Sequence, residues 1–340
     1  MPAYRTVTVT ELLAERPGLT RVRVTSDDAG DERAYALTDV TGPVAVGDEV
    51  VVNTTAVDLG LGTGGWHVVH WNLARRSWSA PGGGHIMKAR YTSIQHEMEV
   101  AEERGDAAAD LGGVPVVACS LHSQVGVVAA VLGHLRPDLR VVYVMTDGGA
   151  LPLALSDLVV QLRDAGLLAG SVTTGHAFGG DQEAVTIPSG LAVARGALAA
   201  DVVVAGMGPG VVGTGSRLGF TGLDQATVLD SAAWLGGRPV MCLRASDGDA
   251  RGRHQGVSHH SLTVLDATRS GVEVPAPAGL APIEGAARHG VVEVEVPDVA
   301  AVLDAAGLRI TTMGRGPAED PLFFRVAAAA AVHAASLAPS

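Results

Sequence analysis

The sequence predicts an α/β protein: a doubly wound, mostly parallel sheet with a small N-terminal β-barrel or β-sandwich domain. Three observations carry this. The first 80 residues contain only short Val- and Thr-rich segments broken by turns. From about Met87 onward, apolar strands alternate with helical stretches, which implies right-handed βαβ units and a parallel sheet. Those strands, such as Val202-Val203-Val204, are apolar without a break, as expected where helices cover both faces of a sheet.

The N-terminal strands are expected at residues 6–9, 19–24, 33–37, 49–53 and 66–70. Turn residues around Asp27-Asp28-Ala29-Gly30 and Thr41-Gly42-Pro43 separate them. This small β domain is expected to end near residue 82. A helix is expected over 91–103, then strand 114–119 and helix 122–135, with Ser120 or Ser123 as its cap. The alternation continues with strand 140–145, helix 155–165, strand 170–174, helix 187–198, strand 202–205, helix 223–235 and strand 239–243. Residues 83–272 thus form the main α/β domain. The Pro-rich segment 274–282 reads as a surface connection. Beyond it, strand 290–296, helix 299–306, strand 308–312 and an Ala-rich helix 322–337 form a C-terminal piece spanning 273–340, packed on the main domain.

Composition narrows the function. Aromatic residues make up 4% of the chain against 47% hydrophobic residues, so the core is built from Val, Ala and Leu. A net charge of −12 argues against nucleic-acid and anionic-membrane partners. An anionic ligand must then be held by a local cluster of cations. Cys119 and Cys242 lie in apolar strands and read as reduced, structural thiols. No basic segment followed by an apolar one opens the chain, and no apolar run reaches bilayer length, so a cytoplasmic protein is expected.

In open α/β sheets, ligands bind beyond the carboxyl ends of the strands. Polar and glycine residues recur there. After successive strands come Ser120 and His122; Asp147; His176 and Asp181; and then a run with Gly206, Gly208, Gly210, Gly213, Thr214, Gly215 and Ser216. That run has neither the Gly-Lys-Ser/Thr ending of a P-loop nor a clean dinucleotide fingerprint, because Pro209 sits inside its turn. It reads as an anion cradle of backbone N–H groups, with Thr214 and Ser216 adding hydroxyls. The fifth strand leads to Arg251, Arg253, His254, His259 and His260, a set able to grip an anion and move protons. If His259 and His260 lie on a strand, one of the two faces the site. Arg315, after the last expected strand, is a further candidate. Lys88 stands alone as the one lysine against 23 arginines and follows a triple-glycine run. A site needing a compact amine would account for it. A divalent metal suits His122, His176, Asp181 and the later histidines by residue type, but their spacing matches no standard ligand motif, so a metal-free site is favoured.

Residues 84–91 (Gly-His-Ile-Met-Lys-Ala-Arg-Tyr), 206–215 (Gly-Met-Gly-Pro-Gly-Val-Val-Gly-Thr-Gly) and 251–260 (Arg-Gly-Arg-His-Gln-Gly-Val-Ser-His-His) together resemble an uncharacterised, actinobacterial-type bacterial family of unknown function. The resemblance covers the whole chain and implies no activity and no cofactor. The residues themselves point to a hydrolase or group transferase acting on a small phosphorylated or carboxylated metabolite, a nucleotide among the candidates. The alternative from another class is a nucleotide or metabolite sensor or scaffold without turnover, since no serine elbow or reactive cysteine stands out. The expected partner is a small anionic metabolite, with self-association left open.

Overall fold

The computed structural model describes residues 1–26, 29–62, 64–80, 82–280 and 282–339, and the chain divides into two units, Met1–Glu99 and Val100–Ser340. The turn expected at Asp27 and Asp28 lies outside the described residues, as does Ala281 in the Pro-rich segment. In the first unit, alternate strand residues are buried. Val7, Val9, Val22, Val24, Ala34, Ala36, Val50, Val52 and Val69 share one core. Five strands with this period, β1 (Tyr4–Arg16), β2 (Leu19–Ser26), β3 (Ala29–Ala36), β4 (Glu49–Asn53) and β5 (Trp66–Asn72), close into a barrel in the order β1-β2-β3-β5-β4. All neighbours are antiparallel except β3 and β5. Two single-turn helices, α1 (Thr38–Thr41) and α2 (Thr55–Asp58), fill the connections.

A hairpin of β6 (Ile86–Lys88) and β7 (His96–Met98) follows, with Lys88 opposite His96. The helix expected over 91–103 does not form. Ala89 and Tyr91 take left-handed backbone conformations, φ 47° and 61°, that turn the chain back on itself.

The second unit carries an eight-stranded sheet whose neighbours all run parallel, in the order β11-β10-β9-β12-β8-β13-β16-β17. Its strands are β8 (Pro115–Cys119), β9 (Val141–Thr146), β10 (Gly170–Thr173), β11 (Gln182–Glu183), β12 (Val202–Met207), β13 (Arg238–Met241), β16 (Glu273–Pro277) and β17 (Gly290–Val294). A separate two-residue pair, β14 (Ala245–Ser246) and β15 (Gly256–Val257), lies in the loop after β13. Helices α3 (His122–Leu135), α4 (Asp157–Asp164), α8 (Val299–Ala305) and α9 (Pro321–Leu337) cover one face. Helices α5 (Ile187–Gly196), α6 (Asp224–Trp234) and α7 (His259–Ala267) cover the other. The unbroken apolar strands follow from this: in β8, Val117 and Cys119 join one core while Val116 and Ala118 join the other. Cys119 and Cys242 are buried free thiols. No helix among the described residues is long and apolar enough to cross a membrane.

Two expectations fail in the C-terminal part. The Pro-rich segment begins as strand β16 inside the sheet and is not a surface connection there. Its prolines are tolerated because hydrogen bonding to β13 is limited to the single register pair Val240–Glu273. Residues 308–312 alternate buried and exposed as a strand would, yet pair with no strand; only an isolated bridge joins Thr312 to Arg315.

What positions the site is the course of the chain at the carboxyl edge. Strands β8 and β9 feed α3 and α4 on one face, while β12, lying between them, feeds α6 on the other. Such a reversal opens a crevice above the strand ends. Two buried glutamines hold that edge. Gln124 accepts from the backbone N–H groups of Ser120 and Leu121 at 3.0 and 3.1 Å and donates to the Leu243 carbonyl at 2.7 Å. It thereby takes the role expected of Ser120 or Ser123 at the start of α3, whose cap position is Leu121. Gln225 donates to the carbonyls of Ala118 and Cys242 at 2.6 and 2.8 Å.

Candidate functional site

The loop after β12 divides into two physically different halves. An added Cβ at Gly206 would lie 2.7 Å from the Cys119 carbonyl oxygen of β8, and one at Gly208 the same distance from the Ala150 carbonyl oxygen. These two glycines serve close backbone packing. The second half is open: a Cβ at Gly213 would lie 3.8 Å from the His260 ring and one at Gly215 3.7 Å from the Arg253 guanidinium. Thr214 and Ser216 do not offer free hydroxyls. Their oxygens bond each other at 2.8 Å, Thr214 Oγ1 donates to the Gly219 carbonyl at 3.1 Å, and Ser216 Oγ accepts from the Gly219 N–H at 3.1 Å. They close the loop.

Opposite this half, a cavity of about 160 Å3 is lined by Gly213, Gly215, Arg244, Arg251, Arg253, His254 and His260, with Val211, Val212 and Met313 at its edge. His259 and His260 are not on a strand; they start α7. Ser258 caps that helix, its Oγ accepting from the His260 N–H at 3.2 Å, and the same hydroxyl meets His254 Nδ1 at 2.8 Å. One side chain thus ties the His254 ring to the helix start that carries His259 and His260. Their ring centroids stand 4.3 to 5.0 Å apart, and Phe220 stacks on His260 at 3.7 Å.

The charges are unevenly matched. Arg251 grips Asp249 through two bonds of 2.9 and 2.7 Å, and this holds the Asp249 carboxyl well below the usual range. Arg315 donates to buried Asp320 at 3.0 Å and lies 3.6 Å from Asp249, so it braces the loop and does not line the cavity. Arg244 and Arg253 have no ion-pair partner among the described residues. Arg244 is buried and donates from Nη1 to His260 Nδ1 at 3.0 Å. Burial and the nearby Arg251 lower its pKa to about 10, which leaves it cationic at neutral pH. Burial, then Arg244, pushes His254 down to about 4 and His260 to about 3; burial and Arg253 also lower His259. All three rings are neutral at pH 7.

Each of these rings offers a nitrogen within 4.8 Å of the others, a set that could surround a metal ion. The electrostatics favour an anion instead. Arg244 donates to Nδ1 of His260, which places that ring's proton on Nε2 and makes it a donor. The unneutralised guanidiniums repel a cation and attract negative charge.

The remaining candidates are not among the residues lining this cavity. His122 lines an adjoining cavity of about 360 Å3 together with Pro209, Gly210 and Val211. Its Nδ1 donates to the Met207 carbonyl at 3.2 Å, and Ser156 Oγ meets its Nε2 at 2.7 Å. Burial lowers it to about 4 against the opposing effect of that carbonyl. Asp147 accepts from the His176 backbone N–H at 2.9 Å, and neither residue lines the two cavities. Burial and Asp147 together raise the Asp224 carboxyl. Asp181 is occupied by the Ser171 N–H at 2.8 Å, the Ser171 hydroxyl and Arg163. Lys88 is fully buried in the first unit. Phe220, Val211 and Met313 had no assigned role in the sequence reading, and Arg244 and Ser258 stood in the segment after the fifth strand without one. For Arg244 and Ser258 a signal existed, a charge after a strand and a cap residue before a helix; for Phe220 there was none.

A family model described as proteins of unknown function, DUF3866, matches residues 33–331. No curated protein matches the chain.

Proposed function

The chain belongs to the DUF3866 family, and we propose that it acts on a small phosphorylated or carboxylated metabolite, by hydrolysis or group transfer, in the pocket between the loop after β12 and the start of α7. One observation carries this reading. In a chain of net charge −12, Arg244 and Arg253 line a cavity and have no ion-pair partner among the described residues, beside three neutral imidazoles. An anionic group there gains charge-assisted hydrogen bonds from both guanidiniums and from His260 Nε2–H. Its charge also opposes the effect of the arginines on His254 and His259 and raises their pKa values. A bound substrate would thus bring an otherwise weak base towards the range where proton transfer is effective.

Inorganic phosphate tests the binding half and a panel of phosphomonoesters and carboxylate esters the catalytic half. Phosphate should raise the melting temperature of the protein, and Arg253→Ala should abolish most of that gain. No stabilisation by phosphate, sulfate or any carboxylate would remove the basis of the proposal. One observation favours binding without turnover, the second reading: among the described residues no hydroxyl, thiol or carboxylate lines the smaller cavity, so the nucleophile must be water, part of the substrate or one of the His254 and His260 imidazoles. Binding with no turnover across the panel would select it.

A further inference from the structure

The larger cavity has no role in the anion site as described, yet two residues, Val211 and Met313, line both. Its floor is apolar, made by Leu121, Leu158 and Ile310. Its mouth is polar and exposed, with Asp157, Gln161 and Arg309 supplying a carboxylate, an amide and a guanidinium. That combination suits a group with apolar faces and a hydrogen-bonding edge. An inorganic ion would leave the apolar floor unused.

The ridge between the cavities is unusual in two ways. Met313 is 64% exposed and Val212 61%, so apolar surface rims an otherwise charged pocket. Met313 also holds a left-handed backbone, φ 50°, which a side-chain-bearing residue adopts at a cost. Reciprocal 2.9 Å hydrogen bonds between Thr312 and Arg315 enforce this turn, and Arg315 is in turn anchored on buried Asp320. The fold therefore spends rigidity on presenting a flexible, polarisable side chain at the boundary of the two cavities.

We infer that the two cavities form one bipartite site: the smaller takes the anionic group and the larger takes the organic body of the same ligand, making the ligand a compact nucleotide-class anion. This rests on the anion reading above. The body lies over the Val211–Met313 ridge, its faces against Leu158 and Ile310 and its polar edge towards Gln161 and Asp157. The ridge then separates a charged end from an uncharged one, and the ligand must be long enough to reach both.

Calorimetry with inorganic phosphate, methyl phosphate, the four ribonucleoside 5′-monophosphates and the corresponding free nucleosides tests it. At least one nucleotide should bind tighter than methyl phosphate by about tenfold or more. Leu158→Trp, which fills the larger cavity from a partly exposed position, should erase that difference and leave phosphate affinity within about twofold. Gln161→Ala, at an exposed site where folding is not at stake, should reduce the nucleotide preference and leave phosphate untouched. If no nucleotide exceeds methyl phosphate, or if both variants weaken phosphate and nucleotide equally, the bipartite site is wrong while the anion pocket stands. If neither phosphate nor methyl phosphate binds, the anion reading fails and takes this one with it.

Discussion

His122 and His260 are both held far below the ordinary imidazole pKa, at about 4 and about 3, but by different surroundings. Both nitrogens of His122 are engaged, one by the Met207 carbonyl and one by Ser156. Its depression comes from burial alone. His260 adds neighbouring guanidiniums to burial, and beside it His259 Nε2 is buried with no hydrogen-bond partner among the described residues. A displaced pKa by itself does not separate the two cases. Unspent bonding capacity next to unneutralised charge does.

The contrast can be broken most sharply at Arg244. Arg244→Gln should weaken sulfate binding by about 1.5–3 kcal/mol, roughly tenfold or more, and NMR should show His260 titrating closer to 6.5. Undiminished sulfate affinity would mean the buried guanidinium serves the fold alone. At His122 the expected effect is on stability. His122→Phe should cost about 1–3 kcal/mol in denaturant unfolding, because the Ser156 hydroxyl and Met207 carbonyl lose a buried partner. Sulfate affinity should not move; a parallel loss would merge the two histidine sites into one.

The smallest effect is on pH dependence. Folded His122, His254 and His260 stay neutral down to about pH 4, whereas the unfolded chain protonates them below about 6.5. Unfolding then takes up protons, so stability declines as pH falls through that window and levels off beneath it. Asp249, held low by Arg251, and Asp320, held low against its burial by Ser246 and then Arg315, act in the same direction only at lower pH. On the proposed reading, sulfate bound among Arg244, Arg251 and Arg253 would raise the folded pKa values of His254 and His260. It should therefore flatten the decline in melting temperature between pH 6.5 and 5, and most of the residual slope should vanish in His122→Phe. A decline identical with and without sulfate would show that the cluster is insulated from the anion.

Much of this was legible in the sequence because it depends on local signals. The Val-Val-Val run of β12 can be satisfied only between two helical layers, and the glycine and His/Arg segments fall at strand ends whatever the details. The division of the glycine run was not legible. Gly206 and Gly208 read like Gly213 and Gly215, and only the approach of Cys119 and Ala150 backbone distinguishes them. The start of α7 was hidden because Thr263 and Val264 favour a strand as readily as a helix, and Ser258 was the one clue to its cap. Asp181 and Arg315 have the residue types of a site but are occupied by partners ten and five positions away, Ser171 and Asp320. Residues 308–312 carry the correct alternation, but alternation reports burial on one side and says nothing about whether a neighbouring strand exists.

Strand β16 carries a consequence for how the sheet comes apart. Pro275 and Pro277 can donate nothing to a ladder, and β16 meets β13 at one register pair while it meets β17 at five. Hydrogen bonding thus divides the eight strands into a six-stranded body and a two-stranded annex, with a seam between them. Helix α9 packs against β8, β13 and β16, across that seam. The loops after β12 and β13 belong to the body, while the cavity-lining segment 309–313 follows the annex strand β17 and α8. Partial opening can therefore begin at the annex, with α9 as the clasp whose release permits it, while β12 and β13 remain folded.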